Sequence, residues 1–376
     1  LHSTSRRQRQ MCIRDSYWNL QNDTDGVMLR EAAALIKQGE AVAFPTETVY
    51  GLGADGLNGE AVRKIFEAKG RPNDNPLILH IADKEDILKL TTGLTKQAQR
   101  LIEKFWPGPL TVIVAKSSIV PDEVSAGLDT VAVRIPSHPV AAQLIRLAGT
   151  PVAAPSANLS GKPSPTDAET VLADMQGRIA GIIDGGACTV GVESTIVDTT
   201  GEVPVILRPG GITREQLEEV LGRVELDPAL SGAETLKPRA PGMKYRHYAP
   251  KAKMYVVEDK EALKLLPLLA KEAAKFTPTA VICGGEAAET MQRAQNLHIL
   301  NWGGDTTELA VKLYRLLRRC DKLGVGVIFS EGVTEDGIGL AVMNRMRKAA
   351  GRQVLTAADI EALLKNSTQL KSFVLK

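Results

Sequence analysis

DGVMLREAAALIKQGEAVAFPTETVYGLGADGLNGEAVRKIFEAKGRPNDNPLILHI, residues 25–81, is the stretch in which the fold is decided. In its first part Val27, Leu29, Ala32, Ala33, Leu35 and Ile36 recur at the three- and four-residue intervals of an apolar helix stripe. Gly39 follows where a helix ends in the left-handed region, which glycine enters without a Cβ clash. The run 41–44 is wholly apolar and too short for a helix, so it reads as a buried strand. The spacing then predicts a helix over 60–68 and a strand over 77–81. Helix, strand, helix, strand is the rhythm of an α/β domain.

Outward from this stretch the rhythm continues to about Leu221. Further helices are read over 96–105, stopping before Pro107, and over 138–147. Thr166-Asp-Ala-Glu169 reads as a capping box opening another helix, and Thr213-Arg-Glu-Gln216 as a second box. Strands are read over 110–115, 131–135, 152–154, 179–184, 195–198 and 203–207. Such a mixture predicts an open, twisted, mixed sheet with helices. Pro228, Pro238, Pro241 and Pro250 then interrupt the chain, and periodicity fades as in a linker. A second α/β pattern follows, with strands over 254–257, 280–283 and 325–329 and helices over 260–275, 306–320 and 339–349. It is a small Rossmann-like arrangement without a GxGxxG turn, so no dinucleotide site is read there. One short helix, 357–364, is read in the tail. The expected organisation is a first domain over 17–221, a linker or lid over 222–252, a Rossmann-like domain over 253–352 and a tail over 353–376.

Composition bounds the function classes. The chain has 376 residues, 44% hydrophobic and 24% charged, which suits two globular domains. The longest apolar run, 110–115, is strand-sized, far below the roughly 18–20 residues of a membrane span. Net charge is +2, and in the segment LHSTSRRQRQMCIRDS at 1–16 Arg6, Arg7, Arg9 and Arg14 outweigh Asp15 by more than that whole excess, leaving the remainder slightly acidic. That balance argues against a protein built to coat nucleic acid. The same segment has no periodicity and no apolar signal region, so it reads as a cloning, assembly or translation scar, or as disordered, in preference to an Arg- and Ser-bearing transit peptide, and is set outside the fold. Cys12, Cys188, Cys283 and Cys320 have neither CxxC nor zinc-ligand spacing. Reduced thiols in the cytoplasm are the expectation.

Polar residues interrupt several strands. Leu77, Leu79 and Ile81 share one face of their strand, leaving His80 on the other with Ile78. Arg134 lies opposite Val131, Val133 and Ile135, and Arg208 follows Ile206 opposite Val203, Val205 and Leu207. Either a solvated sheet face or a cleft lined by His and Arg accounts for this. The loops FPTETVYGLGADG at 44–56, KGRPNDNPLILHI at 69–81, APSANLSGKPSPT at 154–166 and GVESTIVD at 191–198 are plain connectors or phosphate-binding segments. Hydroxyls, backbone N–H groups and cations such as Lys69 and Arg71 complement a triphosphate. Neither a Walker A sequence nor a GxSxG elbow is present. A transfer to phosphate needs neither, since positioning and charge stabilisation supply most of its catalysis.

These four loops, with FWPGPLTVIV at 105–114, VAVRIPSHP at 131–139 and VILRPGGIT at 205–213, stand in the same order as in the threonylcarbamoyl-AMP synthases, which residues 25–221 resemble. APGMKYRHYAP at 240–250 and the α/β pattern after it resemble the two-domain form, a YrdC-like domain followed by a Rossmann-like one. The resemblance implies that L-threonine, bicarbonate or CO2, and ATP yield threonylcarbamoyl-AMP and pyrophosphate. A separate transferase complex then moves the threonylcarbamoyl group to an adenosine beside the anticodon of tRNA. With the apolar runs and charge balance above, no membrane association and no strong direct binding of nucleic acid are expected. By the same resemblance Thr48, His80, Thr130, Arg134 and Ser194 line the threonine side. Lys69, Arg71, Asn75, Ser156, Ser164 and Arg208 line the ATP side, with Lys69 and Arg71 catalytic. Tyr248, rather than Tyr245, would close over the nucleotide as part of a lid. Mg2+ would accompany ATP, with no protein ligand identified for it.

Overall fold

A computed structural model describes residues 16–20, 23, 25–231, 238–242 and 247–375. The chain divides into two compact units, Leu1–Ser160 with Ser164–Lys244 and Gly161–Pro163 with Tyr245–Lys376.

The first unit runs β1 (Ser16–Asn19), α1 (Val27–Lys37), β2 (Val42–Phe44), β3 (Gly51–Asp55), α2 (Gly59–Lys69), β4 (Ile78–His80), α3 (Lys96–Phe105), β5 (Leu110–Ala115), β6 (Thr130–Arg134), α4 (Pro139–Ala148), β7 (Val152–Ala154), α5 (Ala168–Met175), β8 (Gly181–Asp184), β9 (Thr195–Asp198), β10 (Val205–Arg208), α6 (Arg214–Leu221) and β11 (Glu225–Leu226); helices of six residues or fewer are left unnumbered. The strands form one sheet in the order β1-β8-β2-β3-β7-β4-β6-β5-β9-β10-β11. It is mixed: β4 runs parallel to β6, and β6 antiparallel to β5.

Local chemistry sets the element ends. Asn58 caps α2 by accepting the N–H groups of Glu60 and Ala61. Thr213 and Gln216 close a capping box on α6 as read. The box read at Thr166–Glu169 is not formed. Asp167 is the cap, accepting the Thr170 N–H at 2.8 Å, because a carboxylate one residue later competes for the same exposed donors. Residues 51–55, read within a loop for their glycines, make strand β3 against β2, with Phe44 opposite Gly51. Glycine serves packing there: a Cβ on Gly53 would lie 2.6 Å from Val152 Cγ1 and 2.7 Å from Phe44 Cε1.

Each sheet face has its own core. On one, Leu52, Leu79, Val112, Val133 and Ile206 pack with Val62 and Ile65 of α2, Leu101 of α3 and Leu217 of α6. On the other, Val42, Phe44, Val152 and Ile183 meet Leu29 and Ile36 of α1 and Leu144 and Ile145 of α4. Farther along that second face, Ile78, Ala132, Ile113, Ile196 and Leu207 are covered by Ala240. The prolines of 222–244 therefore punctuate a segment that finishes the first unit. β11 pairs parallel with β10, and Arg239 donates to Asp198 at 2.9 Å and also to Asp227.

The second unit contains β12 (Lys253–Val257), α7 (Lys260–Ala273), β13 (Thr279–Cys283), β14 (Leu297–Asn301), α8 (Thr306–Leu323), β15 (Val327–Glu331), α9 (Gly339–Ala349), α10 (Ala357–Lys365) and α11 (Ser367–Leu375). Its sheet, in the order β12-β15-β13-β14, is parallel throughout. Strand β14 escaped the sequence reading because it is a half-buried edge with His298 in mid-run. The tail belongs to this unit: Leu355 N–H donates to Val256 O at 2.9 Å, and Ile360, Leu363, Leu370 and Val374 are buried. Cys188, Cys283 and Cys320 are buried free thiols. Among the described residues no helix is long and apolar enough to cross a membrane. The scar read at 1–16 lies outside the described residues except for Ser16, which opens β1.

Candidate active site

A polar row crosses the second face of the first sheet. His80 on β4 stands opposite Arg134 on β6, Arg134 opposite Thr111 on β5, Thr111 opposite Ile196 on β9, and Ile196 opposite Arg208 on β10. Partners in register point to the same face, so the sheet brings these side chains side by side. The strict alternation read for 203–208 fails in β10. A bulge between Ile206 and Arg208 sets Leu207 and Arg208 against one residue, and Leu207 joins the apolar patch on the site's face.

Arg134 is the centre of one cluster. Its Nε donates to Gly108 O at 3.2 Å, Nη1 to Thr48 Oγ1 at 3.0 Å and Nη2 to Glu47 Oε1 at 2.7 Å. The ion pair is closed off from water, with side chains 4% and 8% exposed. A guanidinium carries five N–H donors, so two remain for a ligand. The loop between β2 and β3 is held by Thr46, whose hydroxyl donates to Val49 O at 2.6 Å and lies 2.8 Å from Thr48 Oγ1. Burial opposes ionisation of Glu47, but the charge and hydrogen bond of Arg134 outweigh it, holding the carboxyl below its ordinary value. His80 is pushed down to about 3, first by burial and then by Arg134, so its ring is neutral. Its Nδ1 lies 3.2 Å from Ile78 O.

A second cluster joins the first through Thr111, whose Oγ1 lies 2.8 Å from Ser194 Oγ. Arg208 grips the same serine: Nη2 donates to Ser194 O at 2.9 Å and to Ser194 Oγ at 3.2 Å. The reading divided Ser194 and Arg208 between two substrates; the structure joins them in one wall. Gly210 permits the arrangement, since a Cβ there would lie 2.3 Å from both Glu193 O and Thr195 N.

The remaining residues fall on the loops. Lys69, at the end of α2, donates to Ser156 O and Asn158 O. Ser156 Oγ donates to Asn158 Oδ1 at 2.6 Å, so lysine and serine order one loop. Arg71 donates to Asn75 O at 3.2 Å and Pro76 O at 3.1 Å. Ser164 donates to Glu193 Oε1 at 2.7 Å. Thr130 does not join the Arg134 cluster. It shares that face but opens β6, four residues away, paired with Ala115; at about 3.3 Å per residue that is ~13 Å. Tyr248 lies in the second unit, with a φ of 63°, stacked on Tyr314 with ring centroids 5.2 Å apart. The sequence reading passed over Glu47, Thr46, Thr111 and Glu193. Thr111 was signalled only as the lone hydroxyl in an apolar strand, and Glu47 as the one acid in the hydroxyl-bearing loop Pro45-Thr46-Glu47-Thr48.

Among the described residues there is no group of three or more His, Cys, Asp or Glu suited to hold a metal. Buried hydroxyls, a guanidinium with donors left over and a lysine-ordered loop, all carried by one mixed sheet, suit a site for small anionic groups such as a carboxylate or a phosphate.

The comparisons carry this further. The family described as "Telomere recombination" matches residues 34–210, and "Threonylcarbamoyl-AMP synthase, C-terminal domain" matches residues 212–351. The threonylcarbamoyl-AMP synthase of Pyrococcus abyssi is 49% identical over 87% of this chain and 95% of its own length. That of Bacillus subtilis is 46% identical over 88% and 95%. The crystal structure of P. abyssi Sua5 complexed with L-threonine superposes with a TM-score of 0.84 at 46% identity, covering 90% of this chain and 98% of that one. The chain belongs to the threonylcarbamoyl-AMP synthases, in their two-domain form. It is an enzyme of that class, a transferase of tRNA modification that makes threonylcarbamoyl-AMP with ATP as a substrate.

Proposed function

We propose that the Arg134 cluster is the threonine pocket and that the loops carrying Lys69, Arg71, Asn75, Ser156, Ser164 and Arg208 receive ATP. The observation that supports this most is the buried Arg134 guanidinium, with two donors left after Gly108, Thr48 and Glu47 are served. A planar fork matches a carboxylate, and Thr48 and Ser194 offer hydroxyl partners for the threonine side chain. Thr130 lies on the same face of β6, four residues from Arg134, and stands as the outlying member of the threonine side in this proposal. Tyr248 packs inside the second unit, so the nucleotide contacts proposed are those of the first unit alone.

Threonine's amine adds to CO2 derived from bicarbonate, losing a proton and forming a carbamate. The carbamate oxygen attacks the α-phosphate, and pyrophosphate leaves. Cations and N–H groups on the loops favour the charge that develops there. Mg2+ would arrive with ATP, held by phosphate oxygens and water. A tRNA-modifying transferase complex in the cytoplasm is the proposed consumer of the product.

The experiment is pyrophosphate release from ATP and bicarbonate with L-threonine, with L-serine and with no amino acid. Threonine should support release and serine should follow, disfavoured by about 10–200-fold for its missing methyl. Arg134→Ala should lose threonine binding, and Arg208→Ala should lose turnover. Release that ignores the amino acid, from folded protein, would defeat the reading.

A further inference from the structure

Glu47 carries a carboxylate that binding the threonine carboxylate and hydroxyl leaves unused. One oxygen accepts from Arg134 Nη2 at 2.7 Å. The other, Oε2, is buried and has no hydrogen-bond partner among the described residues. Leaving a buried acceptor unmatched costs about 1–3 kcal/mol, and more for a charged group. Supporting Arg134 does not require that expense, because the carbonyl oxygen of a glutamine accepts the same N–H.

The surroundings keep the carboxylate ionised. Arg134 is the cation facing it, and it outweighs the burial that works against the charge. His80 and His138 also sense Glu47, but burial lowers both of them, and His80 stays neutral. Arg134 and Glu47 thus form a pair of opposite charges whose sum is zero. Such a pair complements a ligand carrying the same two charges in reverse, with its anionic end on the guanidinium and its cationic end on the carboxylate. An α-amino acid zwitterion has that form.

We propose that Glu47 Oε2 accepts a hydrogen bond from the α-amino nitrogen of threonine, making Glu47 a specificity residue for the amino group. The assignment rests on the reading of the Arg134 cluster as the amino-acid pocket. It explains why the position carries a charge rather than an amide, and why Oε2 completes no hydrogen bond among the described residues although the backbone N–H groups of Glu47 and Ser137 help keep the carboxylate ionised.

The test is calorimetric titration of the full chain without bicarbonate, so that no turnover occurs. The probes are L-threonine and (R)-3-hydroxybutanoate, which keeps the carboxylate, hydroxyl and methyl but lacks the amine. Wild-type protein should bind threonine at least about tenfold more tightly. Glu47→Gln should weaken threonine by about 10–100-fold, as for a lost hydrogen bond to a charged group, and change 3-hydroxybutanoate by less than about threefold. Equal weakening of both ligands would mean that Glu47 acts only by holding Arg134, and it would overturn the assignment. So would unchanged threonine binding by Glu47→Gln. Should that variant fail to fold, the wild-type comparison decides: equal affinities overturn the role of Glu47 and leave the pocket standing. Wild-type protein that binds neither probe overturns the pocket itself, and the assignment with it.

Discussion

An imidazole shut away from water beside a guanidinium gives up its usual proton. His80 is pushed down to about 3, by burial first and by Arg134 second. In the unfolded chain it titrates near 6.5, so the folded state binds fewer protons between those values. Its contribution to stability is therefore complete above about pH 6.5 and is lost as pH falls toward 3. Between pH 7.5 and 5.5 the loss is on the order of 1 kcal/mol. His138 is lowered in the same direction and adds to the slope. Glu47 acts lower, in the carboxylate range. Melting temperature measured across pH 7.5 to 5.5 should fall in the wild type and fall less in His80→Gln. Parallel slopes would show that His80 is not held neutral. The adjacency behind this shift was half legible: alternation put His80 and Arg134 each on the face opposite its strand's apolar run, solvated or cleft-lining, and only the β4–β6 register made them neighbours.

At the scale of elements, the loop before β9 and the turn after β10 are fastened backbone to backbone. Gly210 is where they touch, and a methyl there would meet Glu193 O and Thr195 N at 2.3 Å, with no flexible side chain to yield. Gly210→Ala should displace Ser194 and loosen the grip of Arg208. Threonine-dependent pyrophosphate release is expected to drop by more than about tenfold, the range for small misplacements in an active site. Gly93→Ala is the control, because a Cβ there meets nothing within 4 Å. Equal activity in the two variants would show that this contact does not position the serine. The same stretch explains an incomplete reading. A period of two cannot register a bulge, and the bulge in β10 decides which way Leu207 and Arg208 point.

For the whole molecule, the first unit depends on residues beyond its last helix. A chain ended after Leu221 would lose β11, the bridges of Arg239 to Asp198 and Asp227, and the cover of Ala240 over Ile78, Ala132 and Ile196. A chain ended after Lys244 would keep all three. Thermal unfolding of the two truncated chains should place the shorter one several degrees lower, since a lost apolar cover and a lost ion-pair clasp amount to a few kcal/mol. Matching melting temperatures would mean that the segment is a passive linker after all.

Periodicity, caps and the order of motifs determined the two α/β units, most of their helices and buried strands, and the family, because those signals are local and survive without a fold. The sequence named Arg134, Thr48, Ser194 and Arg208 one at a time. What only the tertiary structure decided was their company: strand order set Arg134 between His80 and Thr111, a bulge turned Arg208 onto Ser194, and Thr130 was left at the far end of its strand. Glu47 entered the site the same way, through a residue 87 positions along the chain. Contacts of that range depend on which strands become neighbours, and no local pattern of residues encodes that.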